Sequence, residues 1–475
     1  MKTLIGMIIL ALFISACGGN PSGTTVSQDG SSSASVATTQ GSSAKENTVD
    51  ATTASTTEAR TGKKPEFKKT ATIEETVLID ENGLRVTANE LTYTNYAAQI
   101  ELTIENNTEQ DISVMAGTLA YACNSINGYM IEDGYVNCDV IAGKRAKETV
   151  SFGFDELLMF GIDEIADIEL GLYSTTEDRE YTYYPPVTIS TSAADTYAYD
   201  PDRCRETITS DAMQNAYGYT VLYSSSDTFY ENADISIPSA TMFRNKDSDF
   251  ILLLEASNKS DQQFYLETAN LFLNGIKVYD SFWSADMVNP GKTALISINL
   301  NKVFDQAYWA AFGIEDIENI RLDFMQYDST GDTRMDQTTL EIPVRSAVAS
   351  PDKSGQLVYD ASGIRLIYKG ILNSSSKYDT DLYLLFLAEN VSGKSLSLDD
   401  VYKSFSLNGL MISPIIYSTE LENGECAVWK ISLSKRNLED CDVTGTDDIT
   451  EIEFKIEIRD DDWNKETGTV RIVFD

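Results

Sequence analysis

One pattern occurs three times, in the same order, along the 475 residues, and this repetition limits the fold more than any other feature of the sequence. The first and third copies open on VLIDENGLRV (77–86) and LVYDASGIRL (357–366), so that Asp80, Gly83 and Arg85 return as Asp360, Gly363 and Arg365. An apolar run ending in an asparagine turn follows in all three: IELTIENNT (100–108), ILLLEASNKS (251–260) and LYLLFLAENVS (382–392). In the first of these, Ile100, Leu102 and Ile104 alternate with Glu101, Thr103 and Glu105, the period of a strand with one buried face. The other two are almost continuously apolar, as central strands are.

Each copy next carries an Asn-Gly pair, Asn127-Gly128, Asn274-Gly275 and Asn408-Gly409, which suits the positive φ angles of a tight hairpin. A second turn glycine, Gly143, Gly291 or Gly424, lies 15, 16 or 15 residues further on. Alternating runs and a short helical stretch follow, the latter clearest in FDELLMF (154–160) and VFDQAYWAAF (303–312). A shared closing template ends each copy: GIDEIADIELGL (161–172), GIEDIENIRLDF (313–324) and GTDDITEIEFKI (445–456). Many short strands, turn residues between them and one brief helix per copy predict an all-β chain of three tandem immunoglobulin-like antiparallel β-sandwiches, at 72–190, 214–346 and 354–475, joined by links at 191–213 and 347–353. The second copy lacks the Asp-x-x-Gly turn at its start (223–235), which leaves its first strand open.

The N-terminus reads as an address. Residues 1–16 hold Lys2, an apolar run from Leu4 to Ile14 and small residues before Cys17, a secretion signal too short to span a bilayer. Ile14-Ser15-Ala16-Cys17 resembles the lipobox of bacterial lipoproteins, which implies diacylglycerol on the Cys17 thiol, a membrane partner held through that lipid, and the folded part on the extracellular face. Residues 17–71 are rich in Ser, Thr, Ala and Gly and read as a disordered stalk, about 40 Å end to end. Arg60, Lys63, Lys64, Lys68 and Lys69 form a basic cluster at its end, a solvated linker or a touch point for anionic polymer. The repeats themselves, through Asp80-x-x-Gly83-Leu84-Arg85 and Gly161-Ile162-Asp163-Glu164-Ile165, resemble the immunoglobulin-like, telokin-like domains of unknown function found in lipoproteins of Gram-positive bacteria, particularly Clostridia. That resemblance implies a fold and a location, and it brings no catalytic residues.

Composition narrows the chemistry. A formal charge of −38 repels a phosphate backbone, so nucleic acid is not an expected partner. The absence of histidine removes Ser-His-Asp and Cys-His nucleophile pairs. No cofactor motif is present, and no enzyme activity is expected. Ser374-x-x-Lys377 and Ser432-x-x-Lys435 match a Ser-Lys spacing without its companion motifs and read as accidents. Cys123 with Cys138, and Cys426 with Cys441, lie 15 apart within one copy and could close disulfides worth about 3 kcal/mol each; buried free thiols are the competing reading. Cys204 is left without a partner in either case and could be a reactive thiol or an intermolecular bridge.

Asp460, Asp461 and Asp462, with Asp399-Asp400 and Asp447-Asp448, are oxygen donors for calcium without the spacing of an EF-hand; acidic turns that keep the surface soluble are the plainer account. Asn106-x-Thr108, Asn258-x-Ser260 and Asn390-x-Ser392 recur in register and read as structural turn asparagines. The run YTYYPP (181–186) with Tyr197 and Tyr199 is either a stacking platform for sugars or a packed terminal strand. Trp283 and Trp309 are expected in a core. The expected role is a lipid-anchored binding or adhesion scaffold for protein or cell-envelope glycan, with an envelope-complex subunit and a carboxylate-based polysaccharide hydrolase as alternatives.

Overall fold

The computed structural model describes residues 64–117, 123–346, 350–373 and 381–474, with only the backbone for 279–283. The expected signal (1–16), lipidation site Cys17, most of the stalk, Ser374, Lys377 and the side chain of Trp283 lie outside the described residues. The chain is all-β, as its turns and alternation predict.

Each unit is a sandwich of two antiparallel sheets with the same strand order. In the first unit one sheet runs Thr76–Glu81, Leu84–Tyr93, Ala97–Asn106, Lys144–Gly153. The second unit repeats it with Thr220–Ser225, Ile235–Arg244, Phe250–Asn258, Thr293–Asn299, and the third with Gln356–Ala361, Ile364–Asn373, Leu382–Asn390, Cys426–Leu433. The opposing sheets match too: Arg334–Ile342, Ile320–Tyr327, Phe264–Leu273 and Ile276–Val288 in the second unit, with the same order in shorter pieces in the other two. The open start of the second unit resolves into the strand Thr220–Ser225 and the short Tyr230–Glu231, both paired with Ile235–Arg244.

The repeated asparagines hold this frame. Asn127, Asn274 and Asn408 all sit at left-handed φ, 49°, 50° and 50°, followed by a glycine that is also left-handed. Their side chains clamp the closing template: Asn127 donates to Glu164 O (2.8 Å) and accepts from Ala166 N (2.8 Å). Asn274 does the same with Asp316 O and Glu318 N, and Asn408 with Asp448 O and Thr450 N, all at 2.8 Å. The three sequon asparagines are buried instead of displayed. Asn106 donates to Gln110 O and Val140 O at 2.8 Å, Asn258 to Gln262 O at 2.6 Å, and Asn390 to Lys394 O at 2.8 Å and Leu421 O at 2.7 Å, each satisfying turn carbonyls that burial would otherwise strand.

The units are welded together. The hairpin strand Tyr129–Ile131 of the first unit pairs in parallel with Thr293–Asn299 of the second, through Tyr129 and Thr293. The start of Ile276–Val288 in the second unit pairs in parallel with Cys426–Leu433 of the third, through Ile276–Cys426 and Lys277–Ala427. Two sheets therefore run from one unit into the next, nine strands each. The cores follow: Phe243, Ile251 and Leu253 of the second unit pack into the first core, and Ile367, Leu385 and Leu387 of the third pack into the second.

Three expectations are corrected, and the link 191–213 gains structure of its own: it carries the helix Arg203–Thr209 and leads into a second, Asp211–Tyr217, which bury Cys204, Ile208 and Met213 in the first core. The packed chain begins before the expected boundary, because Phe67 stacks on Phe154 (4.4 Å) and Lys68 pairs with Asp163 (3.2 Å). Neither cysteine pair is bridged, because the members of each pair occupy different cores, Cys123 and Cys426 the second, Cys138 the first and Cys441 the third. Cys204 is fully buried, and burial raises its thiol well above the ordinary value, which opposes the reactive thiolate.

Candidate functional site

In the first unit the second sheet breaks in two along a common line, and the break shapes a cleft against the second unit. Strand Asp167–Glu169 stops and Leu172–Thr176 resumes after Gly171, while Tyr181–Tyr184 and Thr188–Ser190 are parted by Pro185-Pro186, which cannot donate to a ladder. Two glycines let the backbones close over the break. A Cβ on Gly117 would lie 2.8 Å from Gly134 O, and one on Gly134 would lie 2.4 Å from the Phe152 ring. Asn124 sutures the gap, donating to Asp133 O (2.9 Å) and accepting from Gly171 N (3.1 Å).

The resulting cleft has a volume of about 630 Å³. Tyr183, Tyr184, Pro185 and Pro186 form its first-unit wall, and Gln263, Asn289, Pro290, Ser329 and Thr330 its second-unit wall. No charged side chain is among the described lining residues, although the chain carries a formal charge of −38. Gln263 donates to Asn289 Oδ1 (2.7 Å) and Asn289 donates to Cys123 O (3.4 Å), so the amides are held in fixed orientations. Tyr184 is buried and shares a hydrogen bond with Ser174 (2.8 Å), whereas Tyr183 is half exposed and stacks on Tyr173 at 5.5 Å. The run YTYYPP is thus both a terminal strand and an aromatic rim. Tyr197 and Tyr199 lie elsewhere, in edge contact at 5.0 Å, with Tyr199 bonded to Asp167 and the Arg203 guanidinium over Tyr197.

Beneath the same joint lies a group of buried acids that sequence reasoning missed. Burial, reinforced by Asp286 and Glu156, pushes the Glu132 carboxyl up to about 9, and burial with Asp133 nearby pushes Glu156 to about 8. Burial alone raises Asp286 to about 7. Glu132 and Asp286 line a small apolar pocket between the units, and Glu156 accepts from Glu132 N (3.2 Å). All three carboxyls are thus shifted toward the protonated form, which suits a structural seam.

The remaining candidates are spent on structure. Asp460 accepts from Asn464 N (2.9 Å) and Asp462 N (3.1 Å) and pairs with Lys394, so it caps its hairpin; those partners hold its carboxyl below the usual range. No group of three or more metal-ligating side chains comes together among the described residues, so Asp460, Asp461 and Asp462 make no cation cage. Ser432 donates to Asp381 (2.9 Å) and Lys435 pairs with Glu439 (3.6 Å), so the two do not form a dyad. Trp309 is buried and donates to Phe304 O (2.9 Å), as a core residue. No helix among the described residues is long and apolar enough to cross a membrane.

No family model and no curated protein matches the chain. Solved structures align only loosely. One from work on host cell surface retention of a 1.5-MDa bacterial ice-binding adhesin is 11% identical, covers 79% of this chain and 90% of its own, and gives a TM-score of 0.13. Amycolatopsis orientalis exo-chitosanase CsxA is 8% identical over 84% of this chain and 79% of its own, with a TM-score of 0.14. Red sea bream transglutaminase is 11% identical over 64% and 38%, also at 0.14. Likenesses this weak carry no argument about function.

Proposed function

We propose that the protein is a rigid, non-catalytic binding scaffold displayed outside the cell, and that the cleft between its first two units takes a neutral glycan. The observation that carries this reading is the uncharged, amide- and hydroxyl-bearing cleft with an aromatic rim in a strongly acidic chain. Amides and hydroxyls pair with sugar hydroxyls, and a half-exposed tyrosine offers a flat face for a pyranose ring. Display outside the cell draws on the Ile14-Ser15-Ala16-Cys17 motif, with lipid on Cys17 as the tether and the membrane as the partner of that end. Kinship with the telokin-like lipoprotein domains is part of the same proposal, supported by the repeated turn motifs.

Calorimetric titration with neutral cell-envelope and plant oligosaccharides tests it. Binding by the full chain, weakened about tenfold by Tyr183→Ala, is expected, since a lost stacking contact is worth roughly 1–1.5 kcal/mol. Absence of binding to every neutral oligosaccharide, or binding that Tyr183→Ala leaves unchanged, contradicts the proposal.

A further inference from the structure

The two internal joints follow one rule. In each, the residues after the Asn-Gly turn of one unit pair in parallel with the residues after the turn glycine of the next. In each, the first residue after that glycine forms an ion pair with one position of the preceding unit's closing template: Lys292 with Glu169 at 2.9 Å, and Glu425 with Arg321 at 2.5 Å. The polarity is reversed between the joints, yet complementarity is kept.

Among the described residues, one edge of each kind is left open. In the third unit Leu410–Met411 is the last strand of its sheet, and in the first unit Lys144–Gly153 is the last strand of its own. At the third-unit edge the positions that the joints bury stand in water: Tyr129 and Met130 are 7% and 5% exposed, Ile276 and Lys277 1% and 7%, but Leu410 and Met411 50% and 62%. The template position equivalent to Glu169 and Arg321 is Glu453, and the position equivalent to Lys292 and Glu425 is Lys144. Lys144 and Glu453 are both exposed, and Arg471 lies 3.8 Å from the Glu453 carboxylate. The two open ends are therefore opposite in charge at the one pair of positions that both internal joints use.

We propose that copies of this chain associate head to tail, the third-unit edge at Leu410–Met411 of one copy pairing with the first-unit edge at Lys144 of the next, with Glu453 facing Lys144. This is a heterologous contact between unlike surfaces, so it builds open strings and not closed dimers. The outer face beside Lys144 carries Gln99, Glu101 and Thr103 where the second unit has Ile251, Leu253 and Glu255 and the third Tyr383, Leu385 and Leu387, so little apolar area supports the contact. Such a contact is reversible and weakened by salt. The proposal draws nothing from the glycan cleft.

Sedimentation velocity of the full chain in detergent, over a concentration series at low and high salt, tests it. The expected result is a ladder of species growing with concentration at low salt and collapsing to monomer at high salt. Glu453→Lys and Lys144→Glu, both at exposed positions, each abolish the ladder with unchanged circular dichroism. The double variant E453K/K144E restores it, with the polarity that the second internal joint already uses. Monomer under all conditions overturns the proposal. So does a species that stops at two copies and ignores the charge variants, which would mark a symmetric tail-to-tail contact, and so does failure of the double variant to restore the ladder.

Discussion

The strand Ala97–Asn106 of the first unit and the strand Phe250–Asn258 of the second hold the same place in the same fold, yet their outer faces are opposites. Glu101 and Thr103 face water in the first, and Glu101 pairs with Lys147 (2.6 Å). At the position matching Glu101, the second unit has Leu253, buried in the core of its predecessor. Leu385 takes that position in the third unit and packs into the second core. A strand that alternates is docked on one face only, and a strand that is apolar throughout is docked on both. The difference shows that the apolar runs at 251–254 and 382–388 record contacts between units as well as within them.

The most severe way to break the contrast is Leu253→Glu, which gives the second unit the residue the first unit carries. An unpaired carboxylate in that joint is expected to cost about 3–5 kcal/mol and to split urea unfolding into separate transitions. The reverse change, Glu101→Leu, is expected to stay within about 0.5 kcal/mol. Next in size is Asn258→Ala, whose donations to Gln262 O (2.6 Å) and Val288 O (3.2 Å) have no counterpart in alanine. A thermal unfolding comparison should show a loss of about 2–3 kcal/mol, from stranded buried carbonyls.

A further effect depends on pH. The folded value of the Glu132 carboxyl is raised to about 9 from the ordinary 4.5, so the fold keeps a proton that the unfolded chain releases. Its favourable contribution is complete below about pH 4.5 and is lost as pH rises toward about 9. Glu132→Gln should therefore raise the melting temperature at pH 8 and leave it nearly unchanged at pH 4.5, by differential scanning calorimetry.

The frame was legible because it is written in local chemistry. Asn127, Asn274 and Asn408 each precede a glycine, and the positive φ that this pair favours announces a hairpin wherever it occurs. The asparagines of the three sequons were legible as turns for the same reason. The joints were not legible, because a parallel bridge such as Tyr129–Thr293 spans 164 residues with no local signal. The helices of the link leave a trace in the sequence: Cys204 with Ile208, and Met213 with Tyr217, stand four apart, the spacing of one helical face. The cleft was half legible, through Tyr183 and the two prolines. Its other wall comes from Gln263, Asn289 and the Ser329-Thr330 turn, which only the weld brings opposite.

Residual dipolar couplings on the full chain test the weld most directly, because they report the orientation of every described backbone N–H relative to one axis frame. A single alignment tensor fitting all three units is the predicted result. Three tensors of different magnitude and direction, one per unit, would mean that the sandwiches turn independently and that neither the continuous sheets nor the shared cores exist in solution.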